Sequence, residues 1–195
     1  QLDDYPGPPR GFGINDMWEG KVYFGFGAQS SGNYLNDLWV YDPATEAFEQ
    51  LPDCPCSGRA HPAFVILDNK IYMGMGSNFG AAGGGNLKDW WAYDIESQIW
   101  TQLTDFPDAA RHHPYQFAFG DYVYAGFGHG SGFISNEWYR YHPPTDNWEQ
   151  LSDLPAEGRV AGQQFSYLGK GYVISGQGGD HNSMDEGEFW EYDAA

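Results

Sequence analysis

Apolar and polar positions alternate along this chain in short runs, and the runs end at glycine. Lys21-Val-Tyr-Phe-Gly-Phe-Gly27, Lys70-Ile-Tyr-Met-Gly-Met-Gly76 and Tyr122-Val-Tyr-Ala-Gly-Phe-Gly128 are rich in aromatic and aliphatic residues. A fourth run, Gly171 to Gly178, has the same shape. Such runs predict β-strands packed on both faces. Turn signals separate them from their neighbours: Asp68-Asn69, Gly120-Asp121, Gly169-Lys170, Asp42-Pro43 and Pro143-Pro144. No segment of useful length carries a helical period.

The runs belong to a repeat. Arginines at positions 10, 59, 111 and 159 each open a unit, and an indole in its third strand recurs at Trp39, Trp91, Trp138 and Trp190. Each unit reads as four strands: one after the arginine, the run ending in the glycine pair, an aromatic run such as Leu38-Trp-Val-Tyr-Asp42, and a run such as Trp100-Thr-Gln-Leu103. The units span about 10–58, 59–110, 111–158 and 159–195, close to 50 residues each. A glycine pair, a Tyr-Asp, a Trp some six residues on and a proline before the next arginine resemble the kelch repeat, over nearly the whole chain. Departures are Phe48 where the repeat has Trp, His142 for Asp, and the extra glycine of Gly176-Gln-Gly-Gly179. The resemblance implies an all-β, kelch-type β-propeller in which each unit is a four-stranded blade. It implies about four blades here, and six or seven in the family's usual ring.

The physics agrees with that expectation. A lone twisted sheet cannot bury both faces, whereas blades stacked about an axis do, with aromatic rings filling the wedge between them. Gln1 to Arg10 aligns with Gln50–Arg59, Gln102–Arg111 and Gln150–Arg159. Residues 1–9 therefore read as the tail of a preceding blade, and the last unit stops before its fourth strand. Either the chain is part of a longer propeller, or the N-terminal stub completes the last blade of a small ring. Open blade edges would favour self-assembly.

Composition narrows the partners. Net charge is −18, from 27 acidic and 9 basic residues, which repels nucleic acid and anionic lipid. No apolar stretch is long enough to insert in a membrane. The acidity and the scarcity of lysine lean toward an extracellular or cell-surface location. Cys54 and Cys56, two residues apart, leave three states open: free or partner-linked thiols, a local disulfide closing a very tight ring, or a weak metal site.

Candidate chemistry lies on one face. Antiparallel order puts the long loops between strands two and three on the same side as the connectors between units, and rigid scaffolds carry function on such loops. Arg59, Arg111 and Arg159, with Arg10, either grip an anionic ligand around the pore or brace one blade against another. His61 and His113 share a repeat position, with His112 adjacent, and suit ligand binding or proton transfer. Tyr34, Phe79 and Phe133 at loop tips suit stacking on a sugar ring or a protein partner. Asp180, Asp185 and Glu186, beside His181 and Glu188, form an acidic loop where calcium is the one cofactor to consider. No catalytic set is legible. The leading expectation is a non-catalytic module binding a protein or glycan. The alternatives are a sugar-converting, mutarotase-like enzyme, which the resemblance allows, and a purely structural subunit of a multimer.

Overall fold

The computed structural model describes residues 3–80, 84–184 and 187–194. Four antiparallel sheets follow one another along the chain. The first blade pairs β1 (Ile14–Trp18), β2 (Lys21–Gly25), β3 (Leu38–Asp42) and β4 (Ala47–Leu51) in chain order. The second pairs β5 (Ala63–Leu67), β6 (Lys70–Gly74), β9 (Trp90–Asp94) and β10 (Ile99–Leu103). Its long loop folds into a separate two-stranded ribbon, β7 (Ser77–Asn78) with β8 (Gly85–Asn86). The third has β11 (Tyr115–Phe119), β12 (Tyr122–Gly126), β13 (Trp138–His142) and β14 (Asn147–Gln150). The fourth has β15 (Gln163–Tyr167), β16 (Lys170–Ile174) and β17 (Phe189–Asp193). Among the described residues the only helical element is the 3₁₀ turn Pro143–Thr145, so no helix is long and apolar enough to cross a membrane.

The first strand of each blade is innermost. β1, β5, β11 and β15 contact one another in succession, and their residues line an axial cavity of about 420 Å³. Alternation along each strand sends every second side chain to the blade behind and the others to the blade ahead. Val65, Tyr72 and Trp90 of the second blade thus share a core with Val123, Tyr139 and Tyr141 of the third. Phe26 and Val40 of the first blade meet Phe64, Met73 and Tyr93 of the second. Phe117 and Trp138 meet Val173, Trp190 and Tyr192 of the fourth.

One indole in the repeat reading is out of register. Trp39, Trp91 and Trp190 pair across their sheets with Phe24, Met73 and Val173, but Trp138 pairs with Gly126. Its counterparts are Leu38, Trp90 and Phe189, and Tyr139 fills the indole position. A shift of one residue turns a side chain to the other face of the sheet, so Trp138 packs toward the fourth blade. The other three indoles donate to the carboxylate two residues earlier, Asp37, Asp89 and Glu188, at 2.7–2.8 Å.

The blades are tied at the connectors. The residue before the connector proline is a plug: Cys54, Phe106 and Leu154 donate their N–H to Asn36, Lys88 and Asn136. The Phe106 ring then enters the next blade against Tyr139 and Trp148. Tyr5 takes the equivalent place on the first blade, against Phe24, Trp39 and Phe48. The N-terminal segment therefore packs on the first blade, and the last sheet gains no strand from it among the described residues. Cys54 and Cys56 are joined in a local disulfide.

Gly58, just before Arg59, lies so close to the first blade's long loop that a Cβ would meet the Tyr34 carbonyl. Backbone cannot yield as a side chain does. Gly58→Ala is expected to destabilise the fold by about 1–3 kcal/mol, the usual range for overpacking. A urea-denaturation midpoint matching that of the unaltered protein would show that the connector can move aside.

Candidate functional site

The long loops and connectors converge as the sequence predicts. Each long loop bends back as a small hairpin and bridges to the residue after the repeat arginine: Gly11 with Ala28, Ala60 with Ser77, His112 with His129, Val160 with Gln177. The next residue in each unit, Phe12, His61, His113 or Ala161, holds a left-handed backbone, φ 51–60°. There it faces the mouth of the channel. His113 N–H donates to the His61 carbonyl at 3.1 Å, and His61 N–H to the Phe12 carbonyl at 3.4 Å, which links blade to blade around the rim.

These backbone links gather five histidines. The His61 and His113 rings lie 3.6 Å apart, centroid to centroid. His112 is 4.8 Å from His113 and 5.0 Å from His129, and His129 is 4.8 Å from His181. Phe12 leans on His61 at 4.3 Å and Phe79 stands 6.0 Å from His112; both phenyl rings are largely exposed. His112 Nδ1 is 2.8 Å from Asn86 Oδ1, an acceptor, so Nδ1 carries the proton and Nε2 the lone pair. Beneath the rim a pocket of about 140 Å³ is lined by Ile14, His61, His113, Gln116 and Gln164. Two buried polar atoms there, His61 Nδ1 and Gln116 Oε1, have no protein partner. Buried polar groups are rarely left unpaired, so these two atoms are open to a hydrogen bond from outside the protein.

Four of the imidazoles, His61, His112, His113 and His129, are biased toward the neutral form. Burial, with the neighbouring His129 and His61, pushes His112 down to about 4. Burial and the three nearby imidazoles push His113 down to about 3. Burial also lowers His61, and burial with His181 lowers His129. Bases this weak are poorly matched to proton abstraction near neutral pH. As neutral rings they still donate and accept hydrogen bonds and present flat faces. His129 and His181 escaped the sequence reading as partners of His112 because they sit on different loops; their only signal was a histidine in corresponding long loops.

The arginines do other work. Arg59 is wholly buried and grips Asp89 with two bonds of 2.7 Å, while Nη1 also donates to the Met75 carbonyl. Arg10 repeats this on Asp37 and the Phe26 carbonyl. Arg111 bonds Glu137, Asp108 and the Phe127 carbonyl, and Arg159 bonds Glu188. The guanidiniums of Arg10, Arg59 and Arg111 thus join the ends of the second and third strands of their own blades, while Arg159 reaches only the third strand, through Glu188. It is the arginine backbone that reaches the preceding blade: Gly27, Gly76 and Gly128 donate to the carbonyls of Arg59, Arg111 and Arg159. All four guanidiniums are paired with carboxylates, and those of Arg59, Arg111 and Arg159 are closed to solvent.

The other candidates separate. Tyr34 folds onto Gly80 of the neighbouring loop, and Phe133 covers the Arg111 guanidinium at 5.3 Å, so both cap the fold. Phe79 alone of the three stays exposed beside the histidines. Asp180 is exposed and closes its own turn on Asn182 at 2.8–2.9 Å. Asp185 and Glu186 lie outside the described residues. Among the described residues no three His, Cys, Asp or Glu side chains converge as metal ligands.

Comparison with known proteins reinforces the repeat. No family model matches the chain. It is similar to the Kelch-like protein terF of Aspergillus terreus, 31% identical over 115 residues covering 54% of this chain and 25% of that protein. It is also similar to N-acetylneuraminate epimerase 1 of Escherichia coli O6:H1, 29% identical over 107 residues covering 54% of this chain and 28% of that protein. This chain therefore spans about a quarter of the length of the curated relatives it matches. Among solved structures it superimposes on YjhT with a TM-score of 0.76 at 19% identity, covering 91% of this chain and 62% of that one. Repeating arginine clamps, inner strands around one axis and these likenesses agree: the chain is a kelch-repeat β-propeller.

Proposed function

We propose that this propeller is a binding module that takes a sugar or glycan at the mouth of its axial channel. The observation that carries this reading is the rim itself. Neutral imidazoles, Phe12 and Phe79 offer ring faces, while His61 Nδ1 and Gln116 Oε1 wait for hydrogen-bond partners below. A pyranose offers the complement: an apolar face for stacking and hydroxyls for the polar atoms. Sequence likeness to an enzyme named for N-acetylneuraminate agrees with a sugar as ligand.

That likeness also favours a second reading, sugar conversion at the same mouth. Against it stand the arginines, all four committed to intrablade clamps, and the low basicity of the histidines. A glycan array followed by titration calorimetry on the best hit distinguishes the two. Phe12→Ala is expected to weaken binding about fivefold, the size of one aromatic contact. Binding that is unchanged in Phe12→Ala and in His61→Phe, or turnover of an array sugar, would overturn the binding reading.

A further inference from the structure

A second surface lies on the opposite face, where the short turns are. Between the second and third blades opens a groove of about 400 Å³. Its apolar wall is Leu67, Ile99 and Leu103, and Tyr72 and Tyr141 also line it. Pro143 lines its edge. In the second blade Ile95 N–H ties the turn between third and fourth strands to the Asn69 carbonyl at 3.0 Å. The corresponding residue of the third blade is Pro143, which has no N–H to give to Asp121. Ile99 breaks the repeat's symmetry as well. Ala47 and Asn147 hold its position in the first and third blades, yet this large aliphatic side chain is 59% exposed.

The lining also carries three acids, Asp68, Asp94 and Asp121. Lys70, its one cation, is tied to Asp94 at 3.1 Å. Asp68 and Asp121 have no ion pair among the described residues. We propose that this groove docks a basic segment of a partner protein: an Arg or Lys side chain lays its aliphatic stem on Leu67, Ile99 and Leu103 and presents its cationic head to Asp68 and Asp121. Long basic side chains are suited to surfaces that are apolar along one side and anionic at the end. Burial pushes the Tyr72 hydroxyl in the groove up to about 12, with Asp68 and Asp94 adding to the shift. No element of the channel mouth takes part, so this surface stands or falls independently of the sugar site.

The test uses the peptide fluorescein-Gly-Arg-Leu-Arg-Gly-amide, titrated by anisotropy, with amide chemical-shift mapping to locate it. Asp68→Asn with Asp121→Asn, and separately Ile99→Ser, are expected to weaken binding about fivefold, because one variant removes the charge and the other the stem's wall. Asp53→Asn with Asp105→Asn removes the same charge elsewhere and is expected to change it less than about twofold. Equal losses in both charge variants, shifts spread over the whole acidic surface, or no effect of Ile99→Ser would overturn the proposal. So would spermidine displacing the peptide as well as an unlabelled copy does, since that would reduce the groove to general attraction for cations.

Discussion

Asp89→Asn is expected to destabilise the propeller by about 3–5 kcal/mol, the range found when one partner of a buried ion pair is removed. Arg59 is fully enclosed, and the two Asp89 oxygens at 2.7 Å neutralise it while also receiving the Trp91 indole N–H. Burial pushes the Asp89 carboxyl up, but Arg59 and Trp91 outweigh it and hold the group below the usual carboxylate range. Asparagine keeps the shape and removes the charge, so a buried cation is left uncompensated. The exposed pair Lys21–Asp42, 3.7 Å apart, is the contrast. Asp42→Asn is expected to change stability by less than about 1 kcal/mol. Urea unfolding followed by tryptophan fluorescence measures both. If Asp89→Asn unfolds within the error of Asp42→Asn, the clamp is not what joins the second and third strands of the second blade.

Acid is expected to weaken the fold before the clamping carboxylates Asp89 and Glu188 titrate. The unfolded chain's histidines take up a proton near pH 6.5. In the fold, burial and mutual repulsion hold His112 and His113 neutral down to about 4 and about 3. Their folded values lie below the unfolded value, so the unfolded state binds more protons as pH falls. The stability they contribute is complete above pH 6.5 and drains away as pH drops toward 4 and then 3. Between pH 7 and 5 the two together are expected to remove about 1–3 kcal/mol, with the range lowered for screening at a half-exposed rim. The clamping carboxylates Asp89 and Glu188 are held below their usual range and titrate later, so they leave this window clear. Urea midpoints at pH 7, 6 and 5 give the slope. His112→Asn with His113→Phe is expected to flatten it, and equal slopes in the variant and the unaltered protein would place the acid sensitivity elsewhere.

Much of this architecture is legible one residue at a time. Val22, Ile71, Val123 and Val173 lie in strands because such side chains suit a pleated, buried surface, and the glycine pairs end those strands. Trp138 was harder. An indole stands in the third strand of every unit, and only cross-strand pairing reveals that this one faces the other way. The arginines carried an ambiguity of partner. Their recurrence every 50 residues or so marks a structural role, yet the acid that each one binds stands 26–30 positions further along and is Asp in two units and Glu in two. Tyr34 and Phe133 looked like loop tips because linear sequence does not show which loops fold back.

By itself, then, the sequence determined the strands, the repeat and the side that carries the long loops, since these follow from local backbone preference and alternation. Tertiary structure alone decided that five histidines meet at one rim and that a groove opens beside Pro143. His61, His113 and His181 lie up to 120 positions apart along the chain, and their rings come together only through the rotation of blades about an axis. That rotation is set by how aromatic faces pack between sheets, a property of pairs of surfaces that no single strand contains.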